Sequence, residues 1–432
     1  MDSPSSEQPS RSTSSSHRRS LMRAGLILLI AGTFLAGILT GEVAGPSHTN
    51  ASNSISDQPG FDTLQQVWDL IHDEFVDSNE VDDQELLYGA ARGMVQSLGD
   101  TGHSSFLDPD EATAFRASLS GELIGLGISI EYQDGEPVIV APIKNSPAEE
   151  AGLLPGDVIV EIDGIPTLGM TDAEVTTHLR GEAGTPVTLT IERDGASDLL
   201  KITVVRARID LDPVTWAMLP DGVALVQFHE FSSGSGDELN KALKEIVATG
   251  DVTGIVLDLR NNPGGLVSEA ITVAGQFMPE GSAVYIQEER DGKQSTIRSI
   301  GNDGPAQDLP IVVLVNRASA SAAEMIAGSL RDNGRAQLVG ERTYGTGTVV
   351  STFNLDGGSA LALGTSFWKT PDGDLAWKVG LVPDVEVRQS DSSKIIDIED
   401  GQTIDHAQLL AAGDVQLNAA LATLHEETEA GA

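Results

Sequence analysis

The sequence predicts a multidomain α/β protein preceded by an apolar N-terminal segment. Its 432 residues exceed what one hydrophobic core normally organises. The residue pattern changes near residue 118 from helical periodicity to short strands with glycine turns, and near residue 208 to strands alternating with helices. An unbroken apolar run occupies residues 24–40. We therefore expect an N-terminal anchor, a helical segment, a β-rich domain and a β/α core, in that order.

The composition excludes several classes of partner and chemistry. The chain has 26 Lys and Arg residues against 65 Asp and Glu residues, and its formal net charge is −39. Such an acidic chain is a poor partner for nucleic acid. Cysteine is absent, so disulfides, thiolate zinc sites and a cysteine nucleophile are excluded. The sequence predicts no metal site and no cofactor, and it leaves the oligomeric state open.

The N-terminus predicts a single-pass membrane protein. Residues 1–20 are serine-rich and predict a disordered cytoplasmic tail, residues 21–41 predict a transmembrane anchor, and residues 42–59 predict a linker. Positive charges before the apolar run place the N-terminus in the cytoplasm and the remainder outside: Arg18, Arg19 and Arg23. A cleaved signal peptide is the alternative, although Glu42 disfavours cleavage after Ala44.

Helical patterns lie on both sides of the central domains. In residues 60–117, apolar residues recur at helical spacing in two stretches, and a third helix is expected to begin near Asp108. Residues 389–432 predict a C-terminal tail of one or two amphipathic helices. The role of this tail stays open at this stage.

Residues 118–207 form the β-rich unit, with strands predicted at ELIGLGISIEY, GEPVIVAPI, GDVIVEIDG and PVTLTIER. The GLGI stretch, followed by SPAEEAGLLPGDVIVEIDG, resembles a PDZ domain. The resemblance implies that a glycine loop captures a protein's C-terminal carboxylate and that the peptide joins the sheet as an extra strand. It assigns peptide binding to Gly125, Leu126, Gly127 and Ile128, with apolar C-terminal tails of proteins as partners.

Residues 208–388 form the predicted β/α core, and two serines lie where one of its strands gives way to a helix. These are Ser319 and Ser321 in the stretch NRASASAAEMIAG. Ser321 and Glu324 have the spacing of a helix capping box, which is a purely structural reading. A hydroxyl at a helix N-terminus is also well placed for nucleophilic attack, because nearby N–H groups favour developing negative charge. The N–H of Ala322 and that of Gly264 or Gly265 are the candidate oxyanion donors.

The order of blocks resembles one enzyme family. An anchor, a helical segment, a PDZ-like unit, LDLRNNPGGLV and NRASASAAEMIAGSLRDNG occur in the order typical of carboxyl-terminal processing peptidases, also called tail-specific proteases. These are extracytoplasmic serine endopeptidases with a crotonase-like (ClpP/crotonase) β/α core. The resemblance implies that Ser321 is the nucleophile and forms an acyl-enzyme during peptide hydrolysis.

The sequence departs from this family at the general base. The family pattern places a lysine where this chain has Thr346 and a supporting glutamine where it has Val350. Threonine does not accept a proton at neutral pH, and a serine hydroxyl without a base is a weak nucleophile.

Three explanations of the missing lysine remain open. His103 is the favoured replacement base because it resembles the histidine of tricorn-type peptidases, whereas His229 is a weaker candidate. Alternatively, Lys369 or Lys378 takes over the role of the family lysine. In the third explanation, the protein binds C-terminal tails without cleaving them. A purely structural envelope protein is a further, unrelated class.

Overall fold

The computed structural model describes residue 58 and residues 60–79, 81–100, 104–133, 135–143, 145–170, 172–193, 195–196, 198–300, 304–389, 395–396 and 398–431. The predicted cytoplasmic tail and anchor, residues 1–41, lie outside these ranges, as do nearly all of the linker and His103. Within the described ranges, no helix combines the length and apolar character needed to cross a bilayer.

The N-terminal segment contains the three predicted helices and one short strand. Its elements are α1 (Phe61–Glu74), α2 (Asp83–Gln96), β1 (Ser105–Leu107) and α3 (Pro109–Leu119). Asp108 and Glu111 form a capping box at the start of α3, which explains why this helix begins there. Phe115 of α3 is buried in a small cluster with Ala360 of the core. By contrast, α1 and α2 bury none of their residues within the described part of the chain.

The β-rich unit is a sheet with two short helices and a connecting ribbon. Its elements are β2 (Glu122–Gly125), β3 (Ile128–Gln133), β4 (Glu136–Pro142), α4 (Pro147–Glu150), β5 (Val158–Ile162), β6 (Ile165–Pro166), α5 (Asp172–Leu179), β7 (Pro186–Glu192), β8 (Leu200–Val205) and β9 (Ala207–Asp210). The sheet has the order β3-β4-β5-β7-β8, with β6 beside β5, and all pairs are antiparallel. The antiparallel β2–β9 ribbon forms a separate two-stranded sheet beside it.

One predicted strand of this unit is divided in two. The stretch ELIGLGISIEY forms β2 and β3, which are separated by a break at Gly127, where φ is +76°. An added Cβ at Gly127 would lie 2.3 Å from the Cβ of Ser146. Glycine is therefore required here both by the backbone conformation and by the close approach of Ser146.

The core contains a mostly parallel sheet built from strand–helix units. Its elements are β10 (Val214–Met218), β11 (Val223–Phe228), α6 (Ser235–Ala248), β12 (Gly254–Asp258), α7 (Val267–Phe277), β13 (Ala283–Glu289), β14 (Gln294–Arg298), β15 (Ile311–Val315), α8 (Ala322–Asp332), β16 (Gln337–Gly340), β17 (Thr348–Asn354), β18 (Ala360–Lys369), β19 (Val385–Glu386), β20 (Gln402–Thr403), α9 (His406–Ala412) and α10 (Val415–Gly431). The seven-stranded sheet has the order β19-β16-β15-β12-β11-β10-β20. Only the β10–β11 pair is antiparallel.

A second, antiparallel sheet joins the N-terminal segment to the core. It contains β1, β18, β13 and β14 in that order, with β17 also paired to β18. Sequence reasoning did not assign the β13–β14 hairpin, although Asp291-Gly292 between alternating residues is a hairpin signal.

The C-terminal tail is an integral part of the core. One face of the seven-stranded sheet contributes to the main hydrophobic cluster with residues of α6, α7 and α8. The opposite face is covered by apolar residues of the tail, among them Leu409, Leu417 and Leu424. Strand β20 also extends this sheet beside β10. Of the one or two helices predicted for the tail, two form, and they bury the second face of the sheet.

Candidate active site

Two loops meet at the carboxyl edge of the parallel sheet and bring the predicted residues together. Strands β12 and β15 are parallel neighbours, so the segments that follow them begin side by side. The N–H of Ala320 donates to the carbonyl of Asn262 at 2.9 Å. Gly264, on the first loop, lies so close to Ser321, on the second, that an added Cβ would be 2.6 Å from the serine Cβ. We call residues 261–265 the oxyanion loop.

Ser319, the first serine of the pair, has a structural role. Its hydroxyl donates to the carbonyl of Leu259 at 2.7 Å and accepts the N–H of Asn316 at 2.9 Å. It therefore ties the turn before α8 to the end of β12. These bonds occupy its hydroxyl, so the geometry favours Ser321 as the nucleophile.

Ser321 sits at the N-terminus of α8 in an unusual backbone conformation. Its φ and ψ are 54° and −119°, a combination that a residue with a side chain seldom adopts. The Glu324 carboxylate accepts the Ser321 N–H at 3.0 Å, so the predicted capping relation is present. Ser321 is fully buried. Ser321 can therefore be both the capping residue of α8 and a nucleophile.

The candidate oxyanion donors differ in what their amides already bind. The N–H of Gly264 donates to Oδ1 of Asn262 at 2.8 Å, which commits it to the loop itself. Gly265 has φ of +137°, and its neighbours Gly264 and Leu266 exchange backbone hydrogen bonds with Phe231. Of the two glycine alternatives, the structure therefore favours Gly265, together with the first helical N–H, that of Ala322.

Thr346, at the position of the family lysine, belongs to a buried network centred on Glu324. The Thr346 hydroxyl donates to Oε2 of Glu324 at 2.9 Å and accepts the Ser321 N–H at 3.1 Å. The carboxylate also accepts the N–H groups of Gly345 and Thr346 and the hydroxyl of Thr343. Burial raises the pKa of Glu324, and the bonds from these donors act against that rise. Thr346 thus helps to fix the Ser321 backbone and offers no base.

The lysine alternatives are engaged elsewhere. Nζ of Lys369 forms an ion pair with Glu288 at 2.6 Å, and Nζ of Lys378 donates to the carbonyl of Gly99 at 2.8 Å. His229, the weaker histidine candidate, is within hydrogen-bond distance of the Thr215 hydroxyl, at 2.9 Å. These contacts give each of the three side chains a partner other than Ser321.

Sequence reasoning missed the two asparagines that hold the loops. Nδ2 of Asn262 donates to the carbonyl of Phe228 at 2.6 Å, and Nδ2 of Asn316 donates to Oδ1 of Asn261 at 2.8 Å. The only available signal was the position of these polar residues directly after apolar strands, just before the glycines and the serines.

A cavity of about 860 Å³ separates the β-rich unit from the oxyanion loop. Its walls include Ser129 and Ala141 of the β-rich unit, Asp210 of the ribbon, and His229, Glu230 and Asn261 of the core. Glu230 is only 5 % exposed, and one of its oxygens accepts the Ser118 hydroxyl at 3.0 Å. Burial raises the pKa of Glu230 to about 7, and the bond from Ser118 lowers it.

The raised pKa of Glu230 predicts that stability decreases as pH rises. The unfolded carboxyl loses its proton near pH 4.5 and the folded one only near pH 7, so the folded state holds the extra proton between these values. The free energy of unfolding should fall by up to about 3 kcal/mol between pH 4.5 and pH 7, and Glu230→Gln should remove this pH dependence. Urea unfolding between pH 4 and 8 measures it, with the exposed Glu238→Gln as control. A Glu230→Gln curve parallel to that of the wild type would contradict the prediction.

The predicted peptide-binding residues lie at the open edge of the β-rich sheet. Among the described strands, β3 pairs only with β4, so its other edge is available to an added strand. Gly125 ends β2 and an added Cβ there would meet nothing within 4 Å. Leu126 is buried in the core of the unit, and Ile128 begins β3 beside it. The four residues thus form one loop leading into the open edge.

Comparisons with known proteins agree with this arrangement. The description "Peptidase family S41" matches residues 222–387, "PDZ domain" matches residues 138–193, and "Activating protease CtpB N-terminal domain" matches residues 32–111. A helical N-terminal segment, a PDZ domain and a β/α core with a serine at a helix N-terminus define a PDZ-containing serine peptidase.

The similar full-length proteins identify the family. The carboxy-terminal processing protease CtpA of Bacillus subtilis is 33% identical over 370 residues, covering 86% of this chain and 77% of that protein. The corresponding protease of Synechocystis is 36% identical over 363 residues, covering 82% and 81%. A solved S41-type structure from Bacteroides fragilis shares the fold, with a TM-score of 0.51 at 20% identity, covering 75% and 90%. The chain belongs to the carboxy-terminal processing serine proteases of peptidase family S41, which confirms the resemblance.

Proposed function

We propose that this protein is a membrane-anchored, extracytoplasmic endopeptidase that binds the C-terminal tails of proteins through its PDZ domain and cleaves them at Ser321. The observation that carries the proposal is the placement of Ser321 at the N-terminus of α8, against Gly264 and beside the amide of Ala322. A peptide carbonyl attacked there would develop its negative charge next to main-chain donors.

In the proposed reaction, the Ser321 hydroxyl adds to the scissile carbonyl and passes its proton to the imidazole of His103. The imidazole returns this proton to the leaving amine, and water then hydrolyses the acyl-enzyme. The proposal for His103 rests on its resemblance to the histidine of tricorn-type peptidases, and Ser104, the residue that follows it, contacts β18 of the core. Ser104 donates to Asp100 at 2.6 Å and accepts the N–H of Gly364, which pairs with Val350, the position of the family glutamine.

Tail recognition is proposed to occur at the open edge of β3. An added peptide strand would pair with β3 while its carboxylate meets the loop at residues 125–128. Ile128 supplies apolar surface beside this loop, which favours tails that end in apolar residues. The apolar run at residues 24–40, preceded by arginines, supports a single-pass anchor with the catalytic part outside the cell.

A second candidate is a tail-binding adaptor that does not cleave. It is favoured by Thr346 and Val350 at the lysine and glutamine positions and by the complete burial of Ser321. Hydrolysis requires the walls around Ser321 to move apart when a peptide binds, whereas tail binding does not.

Cleavage by the purified full chain separates the two candidates. A substrate protein with an apolar C-terminal tail should be shortened by the wild type and left intact by Ser321→Ala. Binding of the tail with no cleavage would favour the adaptor.

His103→Ala should reduce turnover about 10²–10⁴-fold, as loss of a general base does. The matched variant His406→Ala, on α9, should retain turnover, and full activity of His103→Ala would show that another group accepts the proton.

A further inference from the structure

The C-terminal tail reaches the active-site edge of the sheet through one fully buried ion pair. The two terminal guanidinium nitrogens of Arg260 donate to the two oxygens of Asp414, each at 2.9 Å. The side chains of Arg260 and Asp414 are both 0 % exposed. Arg260 directly precedes the oxyanion loop, whereas Asp414 lies in the tail, 154 residues away in sequence and beyond the end of the S41 match at residue 387.

Asp414 is itself fixed by the tail. Its carboxylate accepts the N–H of Leu417 at 3.0 Å, which caps the start of α10, and the N–H of Ile396 at 3.2 Å. The Arg260 guanidinium also binds both oxygens of Asp258, at the end of β12, and Oε1 of Gln416. The guanidinium therefore joins the last residue of β12 to the beginning of α10.

The chain leads from this pair directly into the oxyanion loop. Asn261 follows Arg260 with φ of +59°, and its N–H donates to Asn316 at 3.0 Å. Asn262 then accepts the N–H of Gly264 through its side chain and that of Ala320 through its carbonyl. The loop is thus held from one side by asparagine contacts and from the other by the ion pair.

We propose that Asp414 is a positioning residue of the active site, which acts through Arg260 to hold residues 261–265 against Ser321. In Asp414→Asn, Arg260 keeps Asp258 as its counter-ion. One of its two bonds to residue 414 is lost, because the new amide nitrogen would face a guanidinium N–H instead of accepting it, so we expect the Arg260 backbone to shift. The first segment to follow would be the loop that begins at Asn261. The catalytic part of this inference rests on the proposed hydrolysis, whereas the effect on the loop does not.

The test is Asp414→Asn in the full chain, with hydrogen–deuterium exchange as the primary measurement. Exchange of the amides in residues 261–266 should accelerate about 10-fold or more while strands of the PDZ domain keep their wild-type rates. The matched control is Asp157→Asn in the PDZ domain. Asp157 also forms a bidentate ion pair with an arginine, accepting two hydrogen bonds from Arg193 at 2.7 Å each. This control should leave the exchange of residues 261–266 unchanged.

Kinetics provide the second measurement. Asp414→Asn should lower kcat about 10–100-fold with KM changed less than about twofold, since it weakens stabilisation of the transition state. Asp414→Glu, which keeps the charge, should recover part of the loss. Unchanged exchange at residues 261–266, or acceleration spread evenly over the core, would overturn the proposal. If the wild type does not hydrolyse peptides, the proposed function fails, and the exchange measurement still decides whether the pair holds the loop.

Discussion

Replacing Gly264 by alanine should lower kcat for peptide hydrolysis by at least about 10²-fold, because it disturbs the contact between the oxyanion loop and Ser321. The new Cβ would lie 2.6 Å from the Ser321 Cβ and 2.8 Å from both the carbonyl oxygen of Ala320 and the amide nitrogen of Ala322. Two of these neighbours are backbone atoms, one in the turn before α8 and one at the first residue of α8, so they cannot rotate away as the end of a flexible side chain could.

The backbone conformation adds to the cost of Gly264→Ala. Gly264 has φ of +97°, which disfavours any residue with a Cβ. Together, the strain and the clash should destabilise the protein by about 3 kcal/mol or more.

Gly292→Ala is the matched control for this prediction. Gly292 also has positive φ, +83°, but an added Cβ there would meet nothing within 4 Å. It should cost only about 1–2 kcal/mol in denaturant unfolding and leave kcat unchanged. If Gly264→Ala and Gly292→Ala were equally stable and equally active, the close packing of the loop against Ser321 would contribute neither to stability nor to kcat.

Local sequence signals predicted those parts of the fold that depend on neighbouring residues. The capping relation of Ser321 and Glu324 spans three positions and is present as expected. The helices of the N-terminal segment, the core and the tail follow from apolar periodicity in the same way. Gly264, one of the two glycines predicted as oxyanion donors, lies against Ser321 in the structure, since both residues follow neighbouring parallel strands.

The contacts that determine which group does what are distant in sequence and could not be predicted. The Ser319 hydroxyl donates to the carbonyl of Leu259, 60 residues earlier, so its structural role could not be predicted, although the family resemblance already pointed to Ser321 as the nucleophile. Likewise, Arg260 and Asp414 form their ion pair only once the tail is folded over the sheet. The sequence did indicate that Thr346 offers no base. It could not show that the Thr346 hydroxyl accepts the N–H of Ser321, because the two residues are 25 positions apart in sequence.

Replacing Glu324 should have the second large effect, because this carboxylate holds the turn with Thr346 against the start of α8. Each of its oxygens accepts at least two hydrogen bonds: Oε1 from Thr343 and Gly345, and Oε2 from Ser321 and from Thr346 twice. Glu324 is fully buried, so water cannot replace the lost acceptor. Glu324→Ala should therefore cost about 3–5 kcal/mol of unfolding free energy.

Glu324→Gln tests the charge at nearly constant volume. Since each oxygen accepts at least one backbone N–H, an amide nitrogen in either position would leave at least one buried N–H without its acceptor. We expect a cost of about 2 kcal/mol or more. The reaction of Ser321 with a serine-directed fluorophosphonate should also slow, because the Ser321 N–H loses acceptors that fix its backbone. The matched control is Gln408→Ala, which removes the equivalent residue of the α9 capping box and should cost only about 1 kcal/mol. Wild-type labelling by Glu324→Gln would mean that the Ser321 conformation is set by the oxyanion loop alone.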